Sequence, residues 1–166
     1  VYPFSLPGLQ RRPETLDYIA RYYSQFEELR ANGLDALVIT GANVANPTLD
    51  QEPFWDPLME VVDWARENVA STLCSCLATH AVLQFRYGQK RRSQPHKIWG
   101  VFPHAVVKKK HPLVFDVNTR FDVPHSRWNK VTPEQFREAG LHVLVESDIG
   151  VHLATSHDGI RFVFFQ

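Results

Sequence analysis

Ser71–Tyr87, STLCSCLATHAVLQFRY, is the stretch whose reading decides the fold. It begins as a short apolar strand, reaches Cys76, and continues with helical spacing. A strand that turns sharply into a helix with a nucleophile at the corner is a nucleophile elbow. The corner needs small neighbours, because its backbone is strained and closely approached. Cys74 and Ala78, two residues to either side of Cys76, are both small. The following helix aims its first free N–H groups and the positive end of its dipole at the sulfur, a setting in which cysteines are reactive. A buried, inert cysteine is the other reading of the same residues.

Upstream, Asp35–Thr40 (DALVIT) reads as a fully buried strand ending in the turn Gly41-Ala42-Asn43. Before it, Leu16, Ile19, Tyr22, Tyr23, Phe26 and Leu29 follow helical spacing from Pro13 to Ala31, with Asn32-Gly33 as the stop. Val1–Leu6 reads as a strand broken by Pro7-Gly8. Between the two buried strands, Thr48–Asp50 and Pro53 introduce a helix with an apolar stripe of Phe54, Trp55, Leu58, Val61, Val62, Trp64 and Ala65. Strand and helix alternate, which implies an α/β fold with a mostly parallel sheet and helices on both faces.

Downstream of Tyr87 the pattern turns β-rich. Strands are expected at Lys97–Val107, Val114–Val117, Phe121–Val123, Leu141–Glu146, Gly150–Thr155 and Ile160–Phe165. One short helix is expected behind an N-cap at Thr132 with Pro133 in its first position. Ser156-His157-Asp158-Gly159 is a hairpin turn signal. In open parallel sheets ligands bind beyond the carboxyl ends of the strands, so the Gly41 turn and Cys76 are expected to share one crevice.

With 166 residues the chain has room for one domain, residues 1–166, with a proper core. Hydrophobic residues make up 44% and charged ones 22%, as in ordinary globular proteins, and the formal net charge is zero, so nothing points to nucleic acid or an anionic membrane. No apolar run reaches membrane-spanning length. The cysteines, Cys74 and Cys76, are placed two apart on a strand and poorly set for a disulfide. This argues for a reducing, cytoplasmic setting. No His, Cys and carboxylate set has metal-ligand spacing, and no glycine-rich phosphate loop is present. The chain opens in an apolar run and closes on one, GIRFVFFQ, which reads as part of a longer polypeptide.

Taken together, several motifs resemble the homoserine O-acyltransferases of the homoserine transsuccinylase type. They are Thr40–Val44, Trp55, Asp63–Ala65, Ser71–Cys76, Ala81, Tyr87-Gly88, Lys97 with Gly100-Val101-Phe102 and His104, Pro124–Arg127, and Ser156 with Asp158-Gly159. The likeness runs from Leu34 to the end. It implies a class I glutamine-amidotransferase-like, flavodoxin-like three-layer sandwich. It also implies that Cys76 takes an acyl group from acyl-CoA as a thioester and passes it to the hydroxyl of L-homoserine, a step of methionine biosynthesis. Backbone N–H groups of Leu77, Gly41 and Ala42 are then candidate oxyanion donors. Lys97 and Ser126 match positions that hold the amino-acid substrate. Ala45 matches the position that biases acyl choice, and its small neutral side chain favours succinyl over acetyl.

The resemblance further implies a homodimer, with acyl-CoA as co-substrate and no other cofactor. The family's general-base histidine and its supporting glutamate are expected beyond Gln166, and its first strand before Val1. The 166 residues alone are therefore expected to be inactive. His80 and Pro103 depart from the family pattern. His80 is expected to pack near the site rather than act as base. His104 and His125 read as hydrogen-bonded structural histidines. Lys90–Arg92 and Lys108–Lys110 read as solvated charge runs, with coenzyme A phosphates as the alternative. Other readings of the same scaffold are an acetyl-CoA-dependent enzyme, a thiol amidotransferase or hydrolase, and a non-catalytic binding relative.

Overall fold

Local preferences set most element boundaries, and tertiary hydrogen bonds move a few of them. The computed structural model describes residues 1–44 and 46–166. These form two compact units, one of Val1–Leu37 with Asn43–Ala70 and one of Val38–Ala42 with Ser71–Gln166.

In the first unit, helix α1 (Pro13–Tyr22) begins with proline in its first turn, where a missing N–H costs nothing. The chain then turns extended at Tyr23 and Gln25 before helix α2 (Phe26–Asn32). The single helix expected over Pro13–Ala31 is therefore two. The break frees the Ser24 N–H to donate to Pro3 O at 2.8 Å. Val1–Leu6 is not a strand either, since Pro3 supplies no N–H to a ladder. Instead Phe4 stacks on Phe26 at 5.3 Å, and Phe26 meets Trp64 edge-on at 5.4 Å. Trp64 lies on helix α3 (Trp55–Asn68), whose buried stripe is Leu58, Met59, Val61, Val62, Trp64 and Ala65. The residues before it, Leu49–Gln51, make a single 3₁₀ turn.

The sheet contains seven strands: β1 (Ala36–Ile39), β2 (Ser71–Ser75), β3 (Arg92–Val106), β4 (Arg120–Lys130), β5 (His142–Ser147), β6 (Gly150–Thr155) and β7 (Phe162–Phe165). Their order is β1-β2-β7-β6-β5-β3-β4. β2 runs parallel to β7, and the ladders β7–β6, β6–β5, β5–β3 and β3–β4 are antiparallel. The sheet is thus mixed, where alternation in the first half implies a mostly parallel one. The reason lies in the connections, because tight turns such as Ser156–Gly159 only allow antiparallel neighbours. That turn is built as expected. Asp158 Oδ1 accepts from Ser156 Oγ at 2.7 Å, Ile160 N at 3.1 Å and Arg161 N at 2.9 Å.

Helix α4 (Leu77–Tyr87) follows β2, and helix α5 (Pro133–Glu138) carries a complete capping box. In that box Gln135 N donates to Thr132 Oγ1 at 3.4 Å, and Thr132 N donates to Gln135 Oε1 at 3.1 Å. The strand expected at Val114–Val117 is absent. Pro112–Val114 forms a 3₁₀ turn there, started by Leu113 N donating to His111 Nδ1 at 3.3 Å. A core of Val106, Val114, Leu144, Val145, Leu153 and Val163, flanked by Phe121 and Phe165, holds β3, β5, β6 and β7 together.

Candidate active site

Cys76 is the one non-glycine residue with positive φ among the described residues, at φ 57° and ψ −114°. Such a conformation costs on the order of 1–3 kcal/mol and persists only where surrounding structure enforces it. Here the enforcing contacts come from the end of β7. Cys76 N donates to Phe165 O at 3.0 Å, and the Thr79 hydroxyl bridges Phe165 O at 2.7 Å and Cys74 O at 2.8 Å. The corner is therefore gripped on both sides. Its sulfur is left exposed, while Cys74 is buried. The two cysteines separate as alternation on β2 dictates, and burial pushes the Cys74 thiol well above its ordinary range.

Gly41 closes the other side of the corner. A Cβ added there would sit 3.3 Å from Cys76 Cβ, 3.6 Å from its Sγ and 3.6 Å from Leu77 N. The Gly41 turn and the elbow therefore lie directly against each other. Leu77 opens α4, and neither it nor Gly41 carries a polar side chain to block the space before the sulfur. Ala42, next to Gly41, is half-buried. Ala45 lies outside the described residues.

His80 is buried one turn further along α4. Its Nε2–H donates to Gln166 Oε1 at 3.0 Å, and Gln166 in turn accepts from Val131 N at 2.6 Å and donates to Val131 O and Val151 O. Burial, with help from Arg91 and Arg127, outweighs this hydrogen bond and lowers its pKa to about 4. A histidine held neutral and tied to an amide is a packing group. No hydrogen bond joins the Cys76 sulfur to a histidine among the described residues.

The β3–β4 hairpin carries the remaining candidates on two faces. Trp99 pairs with Ser126 and Ile98 with Arg127. Lys97 and Ser126 therefore share one face, and both are exposed. Lys97 Nζ stands 4.3 Å above the Trp99 ring, so this face is a solvated cation–π pair. His125 and Arg127 take the opposite face, together with His104. There His104 Nδ1–H donates to Phe102 O at 2.9 Å, leaving its Nε2 to accept from His125 Nε2–H at 3.3 Å and Ser147 Oγ–H at 3.0 Å. His152 packs against both rings, at 5.6 and 6.1 Å. Burial first, then Arg127 and the neighbouring histidines, lowers His125 to about 4. His104 and His125 are structural, as their sequence setting implies.

Arg127 is the residue that the sequence reading passed over. It stands beside Ser126 in the quoted Pro124–Arg127 motif, but adjacent strand residues point opposite ways. Its guanidinium helps to lower the pKa of His80, His125 and His152, and burial lowers its own to about 10. Strand alternation was the available signal.

Lys108–Lys110 line a groove of about 490 Å³ with Val107, His111 and His142. His142 is level with Thr155, Val163 and Leu73 across the sheet, three strands and three residues from Cys76. At usual strand spacings that is roughly 17 Å away, so the lysine run does not line the sulfur. Among the described residues no three His, Cys, Asp or Glu side chains are placed to hold a metal, and no helix is long and apolar enough to cross a membrane.

Comparison with known proteins identifies the family. The family model "HTS: Homoserine O-succinyltransferase" matches residues 2–166. A homoserine O-succinyltransferase of Allochromatium vinosum is 65% identical over all of this chain and 47% of its own length. One of Thiobacillus denitrificans is 63% identical over all of this chain and 48% of its own. The chain thus spans about half the length of these curated relatives. In fold, it resembles the glutaminase domain of Trypanosoma brucei CTPS with bound acivicin, at 15% identity and TM-score 0.63, over 84% of this chain and 66% of that one. The likeness to that glutaminase domain is one of α/β fold.

Proposed function

The chain belongs to the homoserine O-succinyltransferase family, and on that premise we propose that it provides the nucleophile half of an acyltransferase site. The proposed reaction moves a succinyl group from succinyl-CoA to the hydroxyl of L-homoserine, as a step in methionine biosynthesis. The Cys76 sulfur attacks the thioester carbonyl, an S–C bond forms, and coenzyme A leaves as its thiol. The homoserine hydroxyl oxygen then attacks the Cys76 thioester and loses its proton to a general base, and the cysteine is released. In this reading the base is a histidine outside these 166 residues. Splitting one transfer into two steps is the advantage of covalent catalysis.

The observation that carries this reading is the gripped elbow, an exposed sulfur at a strained corner with Gly41 against it. Developing oxyanion charge would fall to the N–H of Leu77 and the Gly41-Ala42 turn, at the positive end of α4. Lys97 and Ser126 are proposed to meet the amino-acid substrate, and Ala45 to leave room for the succinyl carboxylate. A cytoplasmic homodimer with no cofactor beyond the acyl-CoA co-substrate completes the reading.

Mass spectrometry of the full-length protein with succinyl-CoA or acetyl-CoA, in the absence of acceptor, tests it. We expect a succinyl group on the Cys76 peptide. Acylation from neither donor would sink the thioester mechanism, and acylation by acetyl alone would make the protein an acetyltransferase and overturn the reading of Ala45.

A further inference from the structure

Lys108–Lys110, which the acyl-transfer reading leaves unused, are gathered by the fold rather than strung along a loop. Lys108 O accepts from His111 N at 3.0 Å, so Lys109 and Lys110 are the central residues of a turn. Val107 N anchors the base of that turn by donating to Leu144 O at 2.8 Å. On its far side Leu113 N donates to His111 Nδ1 at 3.3 Å, which leaves the Nε2–H of His111 as a donor. Gly159 makes room for that nitrogen, since a Cβ there would stand 3.3 Å from it. The turn and His142 line the groove of about 490 Å³, and the His157 ring lies 5.6 Å from that of His142.

No carboxylate lines this groove. Ion pairs among the described residues join arginines to acids elsewhere, as in Arg30–Glu60, Arg66–Glu67, Arg137–Glu146 and Arg161–Asp158. No hydrogen bond or ion pair among them engages the side-chain nitrogens of Lys108, Lys109, Lys110, His142 or His157. The resulting field is felt at His142, which is held below its ordinary range by burial and then by Lys108, His157 and His111, all acting in one direction. A concave site lined by one sign of charge concentrates counter-ions. Lysine ammoniums are compact point charges that suit phosphate oxygens, and they lack the planar fork that grips one carboxylate. A volume of this size takes one small molecule, and without Trp, Tyr or Phe in its lining it offers no platform for a run of bases. We propose that the groove binds the phosphates of a small phosphoanhydride, such as a nucleoside diphosphate. That chemistry has two sources, the diphosphate of the acyl-CoA co-substrate and a separate phosphorylated effector. The binding stands apart from the reading of Cys76, and only an assignment to the co-substrate rests on it.

The test is equilibrium binding of ADP and of inorganic pyrophosphate to the full-length protein, by titration calorimetry at physiological ionic strength. Replacing the exposed lysines together, Lys108→Gln, Lys109→Gln and Lys110→Gln, should weaken both about 10- to 100-fold with Tm unchanged. Should that triple variant fold poorly, Lys109→Glu at the tip of the turn takes its place and should weaken both about 10-fold. Steady-state kinetics then separates the two sources. A KM for succinyl-CoA raised about 10-fold in the triple variant, with that for succinyl-pantetheine unchanged, assigns the groove to the co-substrate. Both KM values unchanged, with ADP binding lost, assign it to a separate ligand. The phosphate role is overturned if the wild type binds neither ADP nor pyrophosphate. It is equally overturned if the triple variant binds them as the wild type does. Lys90→Gln with Arg92→Gln, if it weakens binding as much, also overturns it, since that is the mark of general charge attraction. Should the protein transfer no acyl group at all, the Cys76 reading fails separately, and the binding measurements alone decide for the groove.

Discussion

The elbow and the β3–β4 hairpin build their parts of the site by different means. At the elbow the backbone does the work. Cys76 is aimed by main-chain bonds to Phe165, by the Thr79 hydroxyl and by the absence of a side chain at Gly41. On the hairpin the side chains do the work, and the backbone only sorts them, with Lys97 and Ser126 to one face and His125 and Arg127 to the other. An elbow tolerates little change because its geometry is shared among many atoms. A hairpin face can change its chemistry one residue at a time while the ladder stays intact.

The most severe way to break this contrast is to remove the sulfur. Cys76→Ala in the full-length protein should lower acyl transfer at least about 1,000-fold, while Cys74→Ala should retain transfer and show its effect in thermal stability. Steady-state kinetics and a melting curve separate the two, and transfer surviving in Cys76→Ala would move the nucleophile elsewhere. Next comes Gly41→Ala, which places a methyl 3.6 Å from the sulfur. We expect Cys76 acylation to slow about 10- to 100-fold with little loss of stability, the scale of a small misplacement at a reacting centre. An equal substitution on the exposed hairpin face, Val101→Ala, should leave acylation within about twofold, because Val101 is 65% exposed there.

A third comparison uses acid. The folded-state pKa of His80, about 4, lies below the roughly 6.5 of an unfolded histidine, so the unfolded chain takes up the proton first. The stability this group contributes is therefore intact above pH 6.5 and declines as pH falls toward 4, by up to about 3 kcal/mol for 2.5 pKa units. His125 and His152, also lowered, steepen the decline in the same direction. His80→Gln should flatten the dependence of the denaturation midpoint on pH between 6.5 and 4, and an unchanged slope would remove His80 as a cause. The smallest effect is expected far from both regions. Thr132→Ala deletes the capping box of α5 and should cost about 1 kcal/mol in chemical denaturation, with acylation unaffected.

Local signals were legible where one short stretch settles its own conformation. The elbow, the Thr132 cap, the Asp158 turn and the strand Gly150–Thr155 are of this kind. The readings that failed involve partners distant in sequence. Tyr23–Gln25 leaves its helix to let Ser24 reach Pro3, and Val114 joins a core with Leu144 and Val163 from a 3₁₀ turn rather than a strand. At the site, Cys76 and the Gly41 turn were legible as neighbouring strand ends. The setting of Arg127 was not, because only strand pairing buries its Nε and Nη1.

The stretch Ser71–Tyr87 by itself determined that a strand would meet a helix at a cysteine. Composition and motif determined an α/β chain of one family. Only the tertiary structure decided that Phe165 and Thr79 would lock that cysteine at positive φ, that Cys74 would be sealed away while Cys76 stays open, and which faces of the paired hairpin Arg127 and Ser126 would take. The physical reason is that propensity and periodicity act within a few residues. Strain, burial and unmet hydrogen bonds exist only once distant strands are paired.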